Sequence, residues 1–406
     1  MVAALSSTPP APRAPGLSAV SRNCPAPTPS QPDKRLNRDH DHRLYPTNSS
    51  IFCELLMKSA AREDLLRQFL AKHGHGDSPR SHLTGDASTR SYELIQPPGK
   101  SSLILMDAPP QPDGPPILDG KPYSQIAHLA ENMRSFVGVA DRLRENGFRV
   151  PEIFAHDLDL GLLLIENLGS TGIVDAKGKA ICERYLASME TLAEIHNHTW
   201  QSSVDLADGS THTLPPFDRD AILIEVDLLA QWYAPYKLGH PLSREQLAGF
   251  SAVWQDLVPI IQSAEPSILL RDYHSPNIIW MDNAVGADRT ALIDFQDALI
   301  GPTAYDVASI AQDARIPIRP ELESQLIDRY LMHRNSIDVD SFKQAYAILA
   351  AQRVTKVLGI FVRLSQRDDK HIYLGNLPHV ESYLKRALQH PVLGAYREWL
   401  ESVLKF

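Results

Sequence analysis

The stretch Leu269-Leu-Arg-Asp-Tyr-His-Ser-Pro-Asn277, followed by Ala291-Leu-Ile-Asp-Phe-Gln-Asp297, decides the reading of this chain. It sets an aspartate, an asparagine five residues on, and a second aspartate after a short apolar strand. Phosphoryl transfer from a magnesium nucleotide needs a carboxylate to orient the acceptor hydroxyl and hard oxygen ligands for the ion. Asp272, Asn277 and Asp294 supply these in order, Asp272 as catalytic base and Asn277 and Asp294 as metal ligands. Taken singly, each would be an ordinary turn or cap residue. Their order and their flanking strands carry the joint reading.

Working outward, Asn277–Trp280 and Thr290–Ile293 read as a hairpin joined by a turn over 282–288. The hairpin interrupts a helical run: Ala180–His196, Arg219–Lys237, Arg244–Ala264, Glu321–Arg334, Asp340–Arg363 and His379–Phe406 all carry helical periodicity. Upstream, strands are expected within Leu83–Ile95, Ser102–Met106, Val150–Ala155 and Leu160–Glu166, with helices over Ala61–His73 and about Ile126–Asn146. The fold class is therefore α+β, with a small mixed α/β N-lobe over 57–168 and a mainly helical C-lobe over 169–406. Residues 1–56 are rich in proline and poor in apolar residues. They read as a disordered extension, or as sequence ahead of a translation start at Met57.

Composition narrows the class. At 406 residues the chain can bury a large core, and a net charge of −9 argues against general nucleic-acid binding. Three scattered cysteines make neither a disulfide framework nor a zinc site. No apolar run reaches the roughly 18 residues of a membrane span, and the N-terminus lacks a signal-peptide core. A cytoplasmic monomer with a small-molecule substrate, and without nucleic-acid or membrane partners, is the expectation.

The motifs Arg271-Asp-Tyr-His-Ser-Pro-Asn277, Ile293-Asp-Phe-Gln-Asp-Ala298, Ile300-Gly-Pro-Thr-Ala-Tyr-Asp-Val-Ala-Ser309 and Thr84-Gly-Asp-Ala-Ser-Thr-Arg90 carry a resemblance. Over about residues 60–400 the chain resembles the aminoglycoside phosphotransferase and choline kinase branch of the protein-kinase-like fold. Within that branch it looks most like bacterial anomeric kinases of N-acetylmuramate and N-acetylglucosamine. The resemblance implies a bilobal kinase that uses ATP and Mg²⁺. It would phosphorylate the anomeric C1 hydroxyl of an amino sugar, for recycling of peptidoglycan sugars. Other acceptors, such as an aminoglycoside or a choline-like alcohol, stay open, as does a non-catalytic nucleotide-binding role.

Two departures accompany it. Leu270 stands where many relatives carry histidine, and Leu103-Ile-Leu-Met-Asp107 lacks the usual phosphate-binding lysine. Arg90 is the candidate replacement cation. Gly85 and Ser88 belong to a turn whose backbone N–H groups would cradle ATP phosphates. Glu166 and Leu168, ending an apolar strand, match the interlobe hinge whose backbone reads the adenine edge. Asp297 is a substrate-side acceptor and Tyr305 a further substrate-binding candidate, while the helical pair Trp232 and Tyr233 lines the sugar pocket or packs in the core. Asp306 either supports the catalytic loop or caps the following helix. Arg353, Lys356 and Arg363 read as a solvated helix face, or as a basic patch drawing an acidic sugar. His196 and His198 read as capping and packing residues.

Overall fold

The structure is a computed structural model that describes residues 48–83, 90–110, 114–130 and 132–406, with side chains from Ala60 onward. Of the extension expected to be disordered over 1–56, residues 1–47 lie outside the described residues, as do Gly85 and Ser88, whereas residues 48–56 are helical, which corrects that part of the expectation. Helix α1 (Asn48–Lys72) lies in one compact unit, and the described residues from Asp77 to Phe406 form another. The helical pattern of Ala61–His73 thus extends further toward the N-terminus than its periodicity indicated.

The N-lobe sheet contains β1 (Arg80–Leu83), β2 (Ser91–Ile95) and β3 (Leu103–Asp107). A small ribbon of β4 (Pro116–Leu118) and β5 (Lys121–Pro122) follows in the proline-rich loop. Strands β6 (Ile153–Asp157) and β7 (Leu162–Glu166) return to the main sheet, whose order is β1-β2-β3-β7-β6, antiparallel throughout. The central strands read as near-continuous apolar runs because both of their faces are covered, and Ile104, Leu105, Leu163 and Leu164 are buried.

One correction concerns the helix expected over 126–146. It divides into α2 (Tyr123–Ile126) and α3 (Arg134–Glu145). The break falls at His128, whose φ is +51°. The freed backbone is used elsewhere: Ala130 N–H donates to Asp297 at 2.7 Å, and the His128 carbonyl accepts from Arg271 at 3.5 Å. Tertiary bonds therefore override a periodic pattern that sequence reads as one helix.

The C-lobe is built from α4 (Cys182–Asn197), the ribbon β8 (Ser203–Asp205) and β9 (Thr211–Thr213), α5 (Arg219–Leu228), α6 (Ala234–Leu238) and α7 (Arg244–Ser263). After the strand-rich centre come α8 (Ala304–Ala311), α9 (Pro320–His333), α10 (Val339–Asp368), α11 (Leu377–Ala387) and α12 (Gly394–Leu404). Two segments expected as single helices are divided. A π-turn over Leu229–Tyr233 separates α5 from α6 just before Pro235, and a 3₁₀ turn over Pro391–Leu393 separates α11 from α12. Proline has no N–H to continue the ladder, so the chain re-registers at both places.

Helix α10 is long and apolar enough to cross a membrane by composition, yet its apolar window is 89% buried inside the protein. It is the core helix of the C-lobe. Its Gly359 lies against the backbone of α5, where an added Cβ would fall 2.3 Å from both the carbonyl carbon and oxygen of Leu228. Backbone cannot rotate aside as a side chain can, so Gly359→Ala is expected to cost about 3 kcal/mol. Urea unfolding measures it; a loss under about 0.5 kcal/mol would show that the two helices separate freely.

Candidate active site

Strands β10 (Pro266–Leu269) and β13 (Leu299–Pro302) pair antiparallel, with Leu269 opposite Leu299. Between them the chain runs out through a loop, a short 3₁₀ turn at Ser275–Asn277, and the hairpin of β11 (Ile278–Trp280) and β12 (Thr290–Leu292). This register brings Asp272, Asn277 and Asp294 to one end of the two ribbons. The hairpin expected from sequence is present. The β10–β13 ribbon that anchors it was missed, because its strands pair across the whole motif and have no local turn signal.

Asn277 joins the three residues directly. Its Nδ2 donates to the Asp272 backbone carbonyl at 3.0 Å and lies 3.4 Å from Asp294 Oδ2. Its Oδ1 is buried and has no hydrogen-bond partner among the described residues. Asp294 is held at φ +62°, and its Oδ1 accepts from Gln296 at 3.0 Å and from Arg90 at 3.3 Å. Phe295 stacks on Phe136 of α3, with ring centroids 4.9 Å apart, which locks the residue between Asp294 and Gln296.

The loop ahead of Asn277 is over-determined. Arg271 has φ +70°, a conformation that costs a non-glycine residue roughly 1–3 kcal/mol and persists only when its surroundings hold it. Asp306 supplies much of that hold, accepting the Leu270 amide at 2.6 Å and the Arg271 amide at 2.8 Å. Of its two expected roles, loop support is the one its bonds describe. It also explains how a loop with Leu270 in place of histidine stays ordered. His196 sits behind it, with Nε2 3.7 Å from Asp306 and Nδ1 2.8 Å from the Tyr330 hydroxyl.

The Arg271 guanidinium is paired with Glu225 of α5, which is completely buried. Glu225 also accepts from Lys356 at 3.0 Å and from Gln352 at 2.9 Å. Burial pushes the Glu225 carboxyl upward, but Lys356 and Arg271 outweigh it and carry it down to about 2. Lys356 and Arg353 are themselves buried, which corrects the reading of this part of α10 as a solvated face. Glu225 went unremarked in the sequence, although a carboxylate within Ile222-Leu-Ile-Glu-Val226 of an apolar helix signals a buried charge in need of partners.

Asp272 itself has no side-chain hydrogen bond among the described residues and is partly open to solvent. Burial raises its pKa, yet His274, Lys356, Arg353 and Arg271 together hold it below the usual carboxylate value. It is an ionised carboxylate with unused acceptor capacity. Asp297 is pushed the other way by burial, against the pull of Arg271 and Arg90.

The remaining expected residues divide. Arg90 lies beside Asp294, as a stand-in cation would require. At the hinge, the Glu166 side chain is paired with Arg149, and the Leu168 N–H has no hydrogen-bond partner among the described residues. Trp232 packs half-buried on the core from the π-turn. Tyr305 is fully buried, and its hydroxyl accepts from Lys356 at 2.8 Å. Its position is a prop under the loop and presents no surface to a sugar.

Residues 81–344 match the phosphotransferase enzyme family. The chain is 33% identical over 358 residues to an N-acetylmuramate/N-acetylglucosamine kinase of Caulobacter vibrioides, covering 84% of this chain and 97% of that one. A kinase of the same description from Pseudomonas aeruginosa is 30% identical, covering 84% and 94%. Among solved structures, a choline kinase from Streptococcus pneumoniae superposes with a TM-score of 0.54 at 14% identity, over 80% of this chain and 99% of that one. A microcompartment-associated aminopropanol kinase does so with a TM-score of 0.52 at 14% identity, over 84% and 98%. The bilobal fold is that of these kinases, and the chain belongs to the phosphotransferase enzyme family as an ATP-dependent small-molecule kinase.

Proposed function

We propose that the enzyme transfers the γ-phosphoryl group of magnesium ATP to the anomeric C1 hydroxyl of N-acetylmuramate, N-acetylglucosamine or both. The acceptor class rests on two relatives at 30% identity or more whose full lengths are nearly matched. The chemistry rests on one observation: an ionised Asp272 with free acceptor capacity, on a strained loop that Asn277 ties to Asp294. Asp272 would accept the hydrogen bond of the attacking hydroxyl, align its oxygen and take its proton as the new P–O bond forms and the bond to ADP breaks.

The donor set fits a hard divalent cation. Asn277 Oδ1 is a buried oxygen in need of a partner, and Asp294 adds a carboxylate. No cluster of three acidic, histidine or cysteine ligands exists among the described residues. Magnesium needs none, since phosphate oxygens and water complete its shell. Such an ion would neutralise phosphate charge, with Arg90 as the adjoining cation. The backbone at Glu166 and Leu168 would meet the adenine edge, and Asp297 an acceptor hydroxyl.

The test is a panel of amino sugars, aminoglycosides and choline-like alcohols incubated with ATP and Mg²⁺, followed by phosphorus NMR. The expected product is an anomeric sugar phosphate from at least one N-acetylated hexosamine. Phosphate appearing only on another acceptor, or no product at all, would overturn the sugar assignment.

A further inference from the structure

Helix α10 carries the cations Arg353, Lys356 and Arg363, of which Lys356 has an ion pair and Arg363 a ring contact. Lys356 is bound to Glu225 and to the Tyr305 hydroxyl, and the Arg363 guanidinium lies over the Tyr123 ring at 5.5 Å. Arg353 differs. It is only 5% exposed, yet its guanidinium has neither an ion pair nor a hydrogen bond among the described residues. None of its nitrogens is among the sealed, unpartnered atoms, so the guanidinium reaches solvent from an otherwise buried side chain, and its five N–H donors in a planar fork are suited to a carboxylate. A fork left open in this way is placed to meet the charge of a ligand.

Its position says which ligand. Gln352 and Lys356, on the same stretch of α10, both grip Glu225, which holds Arg271, the residue before Asp272. Arg353 is thus carried to the α10 side of the loop, and its field is felt at Asp272, His274 and Tyr305. The other cation near the site, Arg90, pairs with Asp294 and senses Asp297 and Tyr92. Arg90 is therefore engaged with Asp294, a residue suited to the metal, whereas Arg353 acts on Asp272, the group proposed to meet the acceptor hydroxyl.

We infer that Arg353 is the specificity residue of the acceptor site, pairing with a carboxylate on the sugar and so favouring an acidic N-acetylated hexosamine over a neutral one. The inference rests on the proposed sugar kinase activity and deepens it. N-acetylmuramate carries such a group on its lactyl arm, and N-acetylglucosamine does not. The competing account is that Arg353 only balances the charge of Asp272, which would serve both sugars alike.

Steady-state kinetics of the wild type, Arg353→Gln and Arg353→Lys with both sugars separate the two. A charged hydrogen-bonded contact of this kind is worth roughly 10- to 100-fold in affinity. Arg353→Gln should lose about that much kcat/KM for N-acetylmuramate, chiefly through KM, and at most about threefold for N-acetylglucosamine, whose turnover also reports that the variant is folded. Arg353→Lys keeps the charge without the fork and should fall between, which maintains the test if the glutamine variant does not fold. Equal losses for both sugars through kcat, or no loss for either, would overturn the inference and leave the kinase assignment standing. A wild type that phosphorylates neither sugar would remove both.

Discussion

Asp272→Asn is expected to lower kcat by roughly 10²- to 10⁴-fold while leaving the fold intact. The side chain is partly open and makes no protein hydrogen bond among the described residues, so the isosteric amide removes neither core volume nor a structural bond. The loop is held through other groups: the amides of Leu270 and Arg271 on Asp306, and the Asp272 carbonyl on Asn277. What disappears is the negative charge proposed to accept the acceptor's hydroxyl. KM for ATP should change little, because nucleotide contacts are assigned to other residues. Stopped-time assays with phosphorus NMR, alongside thermal unfolding, measure both sides. Retention of more than about a tenth of wild-type kcat would remove Asp272 from the catalytic role.

Glu225→Gln should destabilise the protein by about 3–5 kcal/mol, the cost typical of stripping one partner from a buried ion network. Two cations, Arg271 and Lys356, would lose their shared carboxylate inside the C-lobe. The pH dependence gives a second readout. The folded-state pKa of Glu225 is depressed, from an ordinary 4.5 to about 2, so its contribution is complete above 4.5 and is lost as pH falls toward 2. The stability gap between wild type and Glu225→Gln should therefore be widest near neutral pH and narrow below 4.5. Urea unfolding at several pH values tests this. A gap below about 1 kcal/mol, or one that does not vary with pH, would show that the network contributes little. Catalysis should also suffer, since Arg271 holds its left-handed backbone next to Asp272.

The order Asp272, Asn277, Asp294, the β11–β12 hairpin and the strand-then-helix course of the chain were all legible from sequence. Each rests on turn chemistry and hydrophobic period, which act between near neighbours. Pro235 and Pro391 were visible too, but apolar periodicity on both sides masked the helix breaks they cause. Asp306 was legible only as a choice between two roles, since its partners lie 35 and 36 residues away.

Tertiary structure alone decided the rest. Nothing local marks His128 as a break in a helix; the break is held by Arg271 and Asp218 reaching His128, and by Asp297 reaching Ala130, from other parts of the chain. Nor does α10 reveal by itself that Lys356 and Arg353 face inward, because a polar stripe on a helix is ordinarily wet. Glu225 lies 46 residues from Arg271 and 131 from Lys356, and only the packing of α5 against α10 makes the three one unit. The proposed reacting groups were written in a short motif. Which charges are spent holding that motif follows from long-range burial, where an ion is stable only beside its partner.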